Sequence, residues 1–381
     1  MLDPRWAVFV PLLLGAATLA LLPLGWVWLR RRGADTPARL AALTALTLFL
    51  TFDLIAFGAF TRLTDSGLGC PDWPGCYGEA SPLHAQEEIQ AAQAAMPTGP
   101  VTWHKAWIEM VHRYLAMVVG ALCLVLAVLS FMARKRLPHS LAWPVLTLVW
   151  VIVQGMFGKY TVTLKLYPAI VTGHLLGAMV LLALLMLQHQ AYRDRALLLS
   201  PALRRGAGGV LALLVLQIAL GGWVSTNYAV VACQGFPQCN GQWWPQADFH
   251  QGFTLLRELG RAGHGGYLAL DALVAIHWVH RLMAALLSVA MLALIVALWR
   301  RGGEARGYAQ ALLALLALQV ASGIGNVVLQ WPLLGALAHS AGAAALLATM
   351  VGLLARARLA RVQQVSSSPA AAASCGPALS T

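Results

Sequence analysis

Long apolar runs alternate with short polar connections along the chain, and this pattern predicts membrane-spanning helices. A helix of about 20 mostly apolar residues crosses the hydrocarbon core of a bilayer. The runs of about that length are 7–29, 40–61, 106–132, 141–162, 168–190, 208–226, 273–299, 308–330 and 333–355. Positive charges follow the first run at Arg30, Arg31 and Arg32 instead of preceding it, so we expect a retained membrane anchor and not a cleaved signal peptide.

The composition agrees with a protein that lies largely in lipid. Of the 381 residues, 59% are hydrophobic and 10% are charged, and the mean hydropathy is +0.70. This excludes a water-soluble enzyme, because too few polar side chains remain to cover a hydrated surface. The net charge of +12 does not indicate a nucleic-acid partner, because the basic residues form short clusters between apolar runs instead of one basic face.

The basic clusters predict the orientation in the bilayer. If the nine runs cross in alternation, one side carries 17 of the 26 Lys and Arg residues. The positive-inside rule makes that side cytoplasmic, with the N-terminus outside and the C-terminus inside. We therefore expect a multi-pass protein of the inner (plasma) membrane whose two long loops, about 63–105 and 227–272, lie outside, where functional elaboration is expected.

The second half of the chain repeats the first at an offset of about 165 residues. In the outer loops, both cysteines, one proline and one glycine of residues 70–78 match residues 233–241 at an offset of 163. Further matches occur in the helices: Val111-His112-Arg113 with Val279-His280-Arg281, and Gln154, Gly158, Val162 and His174 with Gln319, Gly323, Val327 and His339. Four helices separate equivalent positions, so the two halves share one orientation, with a pseudo-twofold axis along the membrane normal.

These patterns predict an all-α polytopic membrane protein. We expect two pseudo-symmetric four-helix bundles, which form an eight-helix core, plus one extra N-terminal transmembrane helix. The corresponding segments are 1–36 for the extra helix, 37–200 for the first half, 201–360 for the second half and 361–381 for a disordered cytoplasmic tail.

Four histidines lie inside apolar helices and are duplicated by the repeat: His112, His174, His280 and His339. Counting from the predicted outer helix ends at 1.5 Å per residue places the two histidines of each half at one depth on different helices. Two imidazoles that face each other at one depth suit the axial positions of a heme iron. Zinc would require four ligands, which neither half supplies at that depth, and a proton relay would not require equal depth.

Charged residues accompany these histidines. Arg113 and Arg281 each follow one of them, where they could anchor a helix end or contact a heme propionate. Glu109 lies three residues before His112, on the same helix face, whereas the repeat places His277 at the equivalent position. A carboxylate in an apolar span is costly and usually functional, which makes Glu109 the catalytic candidate. The alternative is a salt bridge from Glu109 to Arg113, to Arg62 or to Lys105.

The outer loops each contain a C-x5-C pair. In an oxidising compartment we expect the disulfides Cys70–Cys76 and Cys233–Cys239, which would either hold a loop over the heme edge or take part in redox chemistry. Cys123 and Cys375 are expected to remain thiols.

The combined motifs resemble the heme A synthase family. The resemblance rests on Thr61-Arg62-Leu63-Thr64-Asp65-Ser66-Gly67-Leu68, Glu109-Met110-Val111-His112-Arg113, Thr172-Gly173-His174 and the second-half histidines, and it covers about residues 40–359. It implies that the first half holds heme O or its product heme A, with Arg62 among the cofactor contacts, and that the second half holds a heme b. It further implies two successive hydroxylations of one porphyrin methyl group, followed by loss of water to give a formyl group.

The resemblance also implies contacts outside the chain. We expect heme O as the substrate, hand-over contacts with heme O synthase or with a terminal oxidase during its assembly, and the lipid bilayer as surroundings. A homo-oligomer is compatible with the sequence.

Two other functions would use the same histidine pairs. One is a diheme b-type cytochrome that passes electrons from quinol, and the other is a heme transporter or chaperone that returns its ligand unchanged. Two features favour the enzyme. Glu109 lies beside only one of the two sites, and an electron carrier needs no carboxylate next to one heme alone. The stretch 61–68 is the second feature.

Overall fold

A computed structural model describes residues 4–137, 141–263 and 265–366, and it is helical without β-strands in that part of the chain. Nine of its helices are long and apolar enough to cross a membrane. They are α1 (Pro4–Arg30), α2 (Thr36–Leu63), α4 (Trp103–Met132), α5 (Ala142–Thr163), α6 (Pro168–Arg193), α7 (Pro201–Thr226), α9 (Leu270–Arg301), α10 (Glu304–Val328) and α11 (Leu333–Ser366). The prediction of a polytopic all-α membrane protein is therefore confirmed.

Several spans begin before their apolar run because a polar residue caps the helix. The Asp35 side chain accepts a hydrogen bond from the N–H of Ala38 at the start of α2. Thr102 does the same at α4, which begins three residues earlier than predicted, and Ser200 does so at α7. A capping side chain satisfies a backbone donor that has no partner in the first turn, so the helix can extend beyond the apolar run.

The two outer loops contain helices that the apolar pattern does not predict. The first loop includes α3 (Gln86–Ala95), and the second includes the single turn α8 (Phe249–Gly252). The α3 segment is rich in alanine, glutamine and glutamate, which favour a helix without requiring an apolar run.

The helices of each half pack in the same cyclic order. In the first half α2 contacts α4 and α6, while α5 contacts α4 and α6. In the second half α7 contacts α9 and α11, while α10 contacts α9 and α11. The halves meet where α6 packs on α7 and α11 and where α2 packs on α11. Each histidine pair is thus carried by one closed group of four helices.

The extra helix α1 packs against α4 and α2 on the first half. Its Leu12 is buried with Cys70 and Cys76, and the Phe9 ring lies 6.0 Å from the Trp73 ring, centroid to centroid. The helix therefore contacts the first disulfide loop as well as the transmembrane helices.

The last helix is longer than predicted. It continues to Ser366, so residues 361–366 are helical and the prediction of a tail disordered from residue 361 is wrong for them. Arginine, alanine and leucine follow the apolar run up to residue 361, and these good helix formers let the helix continue past that run. Residues 367–381, including Cys375, lie outside the described residues.

Candidate functional site

The structure brings the four intramembrane histidines together as two pairs. His112 on α4 and His174 on α6 lie close enough to interact electrostatically, and so do His280 on α9 and His339 on α11. Each pair joins two helices of one half, as the sequence predicts. Within the described ranges, no three His, Cys, Asp or Glu side chains are grouped to hold a metal ion by themselves.

A glycine on a neighbouring helix of the same half faces each of these imidazole rings. A Cβ atom placed on Gly58 would lie 3.0 Å from Nε2 of His112, and one on Gly158 would lie 3.5 Å from Cε1 of His174. The corresponding distances to Cε1 are 3.1 Å from Gly221 to His280 and 3.2 Å from Gly323 to His339. The rings thus pack directly on helix backbone, at positions that the repeat makes equivalent.

Polar side chains contact three of the four rings. The Nδ1 atom of His174 lies 3.1 Å from Nε2 of Gln154, and Nδ1 of His339 lies 3.0 Å from the hydroxyl of Ser322. Nε2 of Gln217 lies 3.0 Å from Nδ1 of His280 and 3.3 Å from its Nε2. These contacts restrain the orientation of the three rings between the helices.

Glu109 is buried and forms an ion pair with Arg113, one of the three partners that the sequence suggests. Its catalytic role stays a prediction. Nη2 of Arg113 donates to Oε1 of Glu109 at 2.5 Å, and the backbone N–H of Cys70 donates to Oε2 at 2.8 Å. Arg113 also donates to the carbonyl oxygens of Pro74, at 3.2 Å, and of Gly75. The pair therefore fastens the first disulfide loop onto α4.

Arg281 fastens the second loop in the same way. It donates to the carbonyl oxygens of Cys233 at 2.5 Å, Gly235 at 2.9 Å and Gln238 at 3.1 Å. Its Nε donates to Nε2 of His277 at 3.3 Å, so His277 takes the place that Glu109 has in the first half. These contacts favour the anchoring role of Arg113 and Arg281. Their contact with a propionate stays a prediction.

The two cysteine loops share one conformation. The sulfur atoms of Cys70 and Cys76 lie 2.05 Å apart, and those of Cys233 and Cys239 lie 1.98 Å apart, at disulfide distance as the spacing predicts. Gly78 and its repeat partner Gly241 both have a φ of 76°, a left-handed conformation that favours glycine. Cys123 is a buried free thiol, as expected.

Arg62 joins the two halves at their outer ends. Its Nη2 donates to the carbonyl oxygen of Ser225 at 2.5 Å, and its guanidinium lies 3.9 Å from the centre of the Tyr228 ring. The Tyr228 hydroxyl donates to Oδ1 of Asp65 at 2.5 Å, and burial raises the pKa of this phenol. Arg62 therefore contributes to the interface between the halves, and its predicted cofactor contact stays a prediction.

Sequence reasoning missed Arg257, a cation that is 3% exposed in the second outer loop. Its Nη2 donates to Oδ1 of Asn227 at 2.5 Å, while its buried Nε has no hydrogen-bond partner among the described residues. Burial lowers the pKa of this guanidinium from its usual value. A buried cation with an unpaired N–H suits an anionic group such as a carboxylate. Arg257 lies in a loop between Leu256 and Glu258, where a mixture of apolar and charged neighbours gives no signal of this burial.

These features fit a heme in each half. Each half supplies two imidazoles from different helices for the axial positions of iron. The glycines keep the rings free of neighbouring side-chain bulk.

Comparisons with known proteins identify the family of this chain. Residues 41–351 match the COX15-CtaA family, described as cytochrome oxidase assembly protein. The chain is 36% identical over 317 residues to a heme A synthase of Shewanella oneidensis, which covers 82% of this chain and 95% of that protein. Heme A synthases of Shouchella clausii and Caulobacter vibrioides are 29% and 28% identical, over 54% and 81% of this chain and 65% and 93% of their own lengths. The chain therefore belongs to the COX15-CtaA family of cytochrome oxidase assembly proteins.

Proposed function

We propose that this membrane protein is a heme A synthase, which converts heme O to heme A for the assembly of a terminal oxidase. The observation that carries the proposal is the presence of two histidine pairs, one in each half, each held between two helices and faced by glycines. The similarity to heme A synthases over most of the chain supports the same activity.

The two halves have different tasks in this proposal. His112 and His174 bind the substrate heme O and the product heme A, whereas His280 and His339 hold a resident heme b. A heme b bound there supplies single-electron transfer. The methyl group undergoes two successive hydroxylations in which water supplies the oxygen atoms, and each of them releases two protons and two electrons to an external electron acceptor. The resulting diol loses one water to give the formyl group.

Glu109 distinguishes the substrate half from the second half. Both of its carboxylate oxygens accept hydrogen bonds, from Arg113 and from the N–H of Cys70, which suits a fixed negative charge. Since Glu109 lies on the same helix face as His112, we place this charge beside the substrate, where it stabilises positive charge that develops as the methyl carbon is oxidised. His277 cannot supply a negative charge at the equivalent position of the second half.

The membrane placement follows from the basic clusters. We place the disulfide loops on the outer side of the inner (plasma) membrane and the arginine-rich helix ends in the cytoplasm. Heme O reaches the first half within the bilayer, so direct contacts with heme O synthase and with the oxidase under assembly are part of the proposal. A homo-oligomer is compatible with this proposal, and measuring the mass of the purified protein in detergent tests it.

The test of this function is the pigment that the protein makes. The full chain is produced in cells that supply heme O but contain no other heme A synthase, and the extracted hemes are separated and identified by mass. A formyl-bearing heme is expected with the wild-type chain and not with the vector alone. Heme b alone would indicate an electron carrier, and unchanged heme O would indicate a transporter or chaperone, so either result contradicts the proposal.

A further inference from the structure

We infer that α2 carries a docking face for a transmembrane helix of a different protein, which presents a basic side chain to Asp53. The face consists of Phe49 and Asp53, one helical turn apart, and is called the α2 face below. The inference rests on the proposed function, because it names the place where the first half meets a protein that brings heme O or accepts heme A.

Asp53 is an acidic residue deep within a membrane span. It lies about 15 Å from the outer end of α2 at Leu63. It is also about 7.5 Å deeper than Gly58, on which the His112 ring packs. A carboxyl group at such a depth is costly in lipid, and residues of this kind normally face a bundle interior or pair with another polar group.

Asp53 does neither within this chain. It is exposed, and between Leu40 and Leu63 the other exposed residue of α2 is Phe49, at 59%. No side chain of the described residues forms a hydrogen bond or an ion pair with Asp53. The remainder of α2 packs on α1, α4, α6 and α11. The carboxyl group thus lies on the strip of α2 that these helices leave uncovered.

The repeat shows that the fold itself does not require an acid at this position. The 163-residue offset makes Phe49 equivalent to Ala212 and Asp53 equivalent to Leu216 on α7. Ala212 and Leu216 are both exposed as well. Both halves therefore expose the same strip, and the second half fills it with apolar side chains that suit lipid. The acid distinguishes the half to which we assign the substrate.

The α2 face also lies beside the substrate site. Phe57, one turn after Asp53, stacks on the His112 ring at 6.3 Å between centroids, with 10° between the planes. A helix that docks on Phe49 and Asp53 therefore contacts α2 next to the turn that packs on the proposed substrate ligand. A partner at this place can exchange heme with the first half without exposing it to water.

The chemistry of the α2 face defines its occupant. A lysine or arginine on a neighbouring helix would pair with the carboxylate, and Phe49 would add apolar contact. A second copy of this chain is poorly suited, because Arg113 and Arg281 are held by contacts within their own halves. Lys159 lies about 6 Å from the outer end of α5, well above the depth of Asp53. The occupant is therefore a different membrane protein.

A defined helix tests the charge pairing. The probe is a synthetic leucine-rich transmembrane helix with one lysine near its middle, compared with the same helix that has leucine there. The full chain is reconstituted in phosphatidylcholine vesicles, and association is followed by energy transfer between dyes on the chain and on the helix. Polar contacts between membrane helices change association by about 3- to 30-fold. We expect the wild-type chain to prefer the lysine helix by that factor and Asp53→Leu to lose the preference, whereas Leu216→Ala, the matched control in the second half, keeps it.

A second measurement tests the role in heme exchange. The chain is produced in cells that contain heme O synthase and the oxidase but no other heme A synthase, and the heme A in the purified oxidase is quantified. Asp53→Leu should lower this heme A about threefold or more. The purified variant should still bind added heme O in detergent with the wild-type affinity and low-spin spectrum, and Leu216→Ala should match the wild type in both measurements.

The outcomes separate this inference from the proposed function. If Asp53→Leu keeps the preference for the lysine helix, or the wild-type amount of heme A in the oxidase, the inference is wrong. Weaker binding of heme O by Asp53→Leu in detergent would place Asp53 inside its own half and contradict docking. Self-association of the chain that Asp53→Leu abolishes would make the occupant a second copy, which also refutes the inference. If the wild-type chain prefers the lysine helix but supplies no heme A, the proposed function fails and the charge pairing stands. Asp53→Asn, which keeps the size and removes the charge, gives the same comparisons if Asp53→Leu does not fold.

Discussion

The glycines that face the histidines give the sharpest prediction, because the structure ranks their tolerance to alanine. A methyl group on Gly58, Gly221 or Gly323 would lie 3.0, 3.1 or 3.2 Å from an imidazole atom, closer than the separation of about 3.5–4.0 Å at which such atoms attract. On Gly158 it would lie at 3.5 Å, which is ordinary contact. The first three alanine variants should therefore displace a ligand ring, and the fourth should not.

The magnitude follows from the cost of extra bulk in a filled site. One added methylene in a packed core costs about 1–3 kcal/mol. Since about 1.4 kcal/mol corresponds to a factor of ten in affinity, heme binding should weaken by roughly 5- to 140-fold in Gly58→Ala, Gly221→Ala and Gly323→Ala. Gly158→Ala should bind heme as the wild type does. Its folding stability should rise slightly, because alanine has a better helix propensity than glycine.

Matched controls are available on two of the four helices. Gly155 on α5 and Gly325 on α10 would place a Cβ with nothing within 4 Å. The assay is the heme content per purified chain together with the low-spin absorbance, with Gly155→Ala and Gly325→Ala measured in parallel. If Gly58→Ala, Gly221→Ala and Gly323→Ala retain as much low-spin heme as these controls, the imidazoles do not pack on the glycines as described.

Three further predictions concern the loops and the interface between the halves. Glu109→Gln should keep both hemes but lose about 1–3 kcal/mol of stability, because its NH2 group replaces one of the two oxygens that accept from Arg113 and from the N–H of Cys70 and leaves one of these buried donors unpaired. The variant should make little heme A, and normal heme A output measured by heme extraction would remove Glu109 from the chemistry. Cys70→Ser should lose about 2 kcal/mol of loop stabilisation in the chain-entropy model and should become sensitive to proteolysis between residues 70 and 79, whereas unchanged digestion would show that the disulfide does not hold the loop. Burial raises the pKa of the Tyr228 phenol above its usual 10.0, so the stabilisation from its bond to Asp65 should be fully present below pH 10 and be lost as the pH rises through the folded-state pKa. An alkaline absorbance titration should show that Tyr228→Phe removes a phenol titrating above pH 10, and removal of one that titrates lower would contradict this.

Much of the fold follows from the sequence because membrane helices are fixed by local patterns. Apolar length sets the spans, and the spacing of cysteines and histidines marks the repeat without any knowledge of distant contacts. The helix ends differ, where caps such as Thr102 and Ser200 extend a helix beyond the apolar run, and the loop helices α3 and α8 have no apolar run to predict them. The C-terminal helix outlasts its apolar run for a related reason, since good helix formers continue it to Ser366.

The site was less accessible to sequence reasoning, because the partners of a polar side chain depend on distant segments. The pairing of Glu109 with Arg113 lies within one helix and could be weighed in advance. Its second partner, the N–H of Cys70, comes from a loop 39 residues away. Gln217 could have been found as a polar residue in an apolar helix, but only the structure shows that it contacts His280.

The same limit applies to the arginines. Arg62 is found between the halves because Ser225 and Tyr228 come from the other half of the chain, 163 residues from Arg62 and Asp65. The 163-residue offset of the repeat makes Arg62 equivalent to Ser225 and Asp65 equivalent to Tyr228. Equivalence in a repeat does not predict contact, and no local pattern could reveal it.

The central claim, that each half binds its own heme, is tested most directly by the hemes that remain when one ligand is removed. His280→Ala and His112→Ala are purified as full chains from cells that supply heme O, and their hemes are extracted and identified by mass. We predict that His280→Ala loses heme b but keeps heme O, and that His112→Ala loses heme O and heme A but keeps heme b with a low-spin spectrum. Loss of the same heme from both variants, or retention of low-spin heme b in His280→Ala, would contradict the division between the two halves.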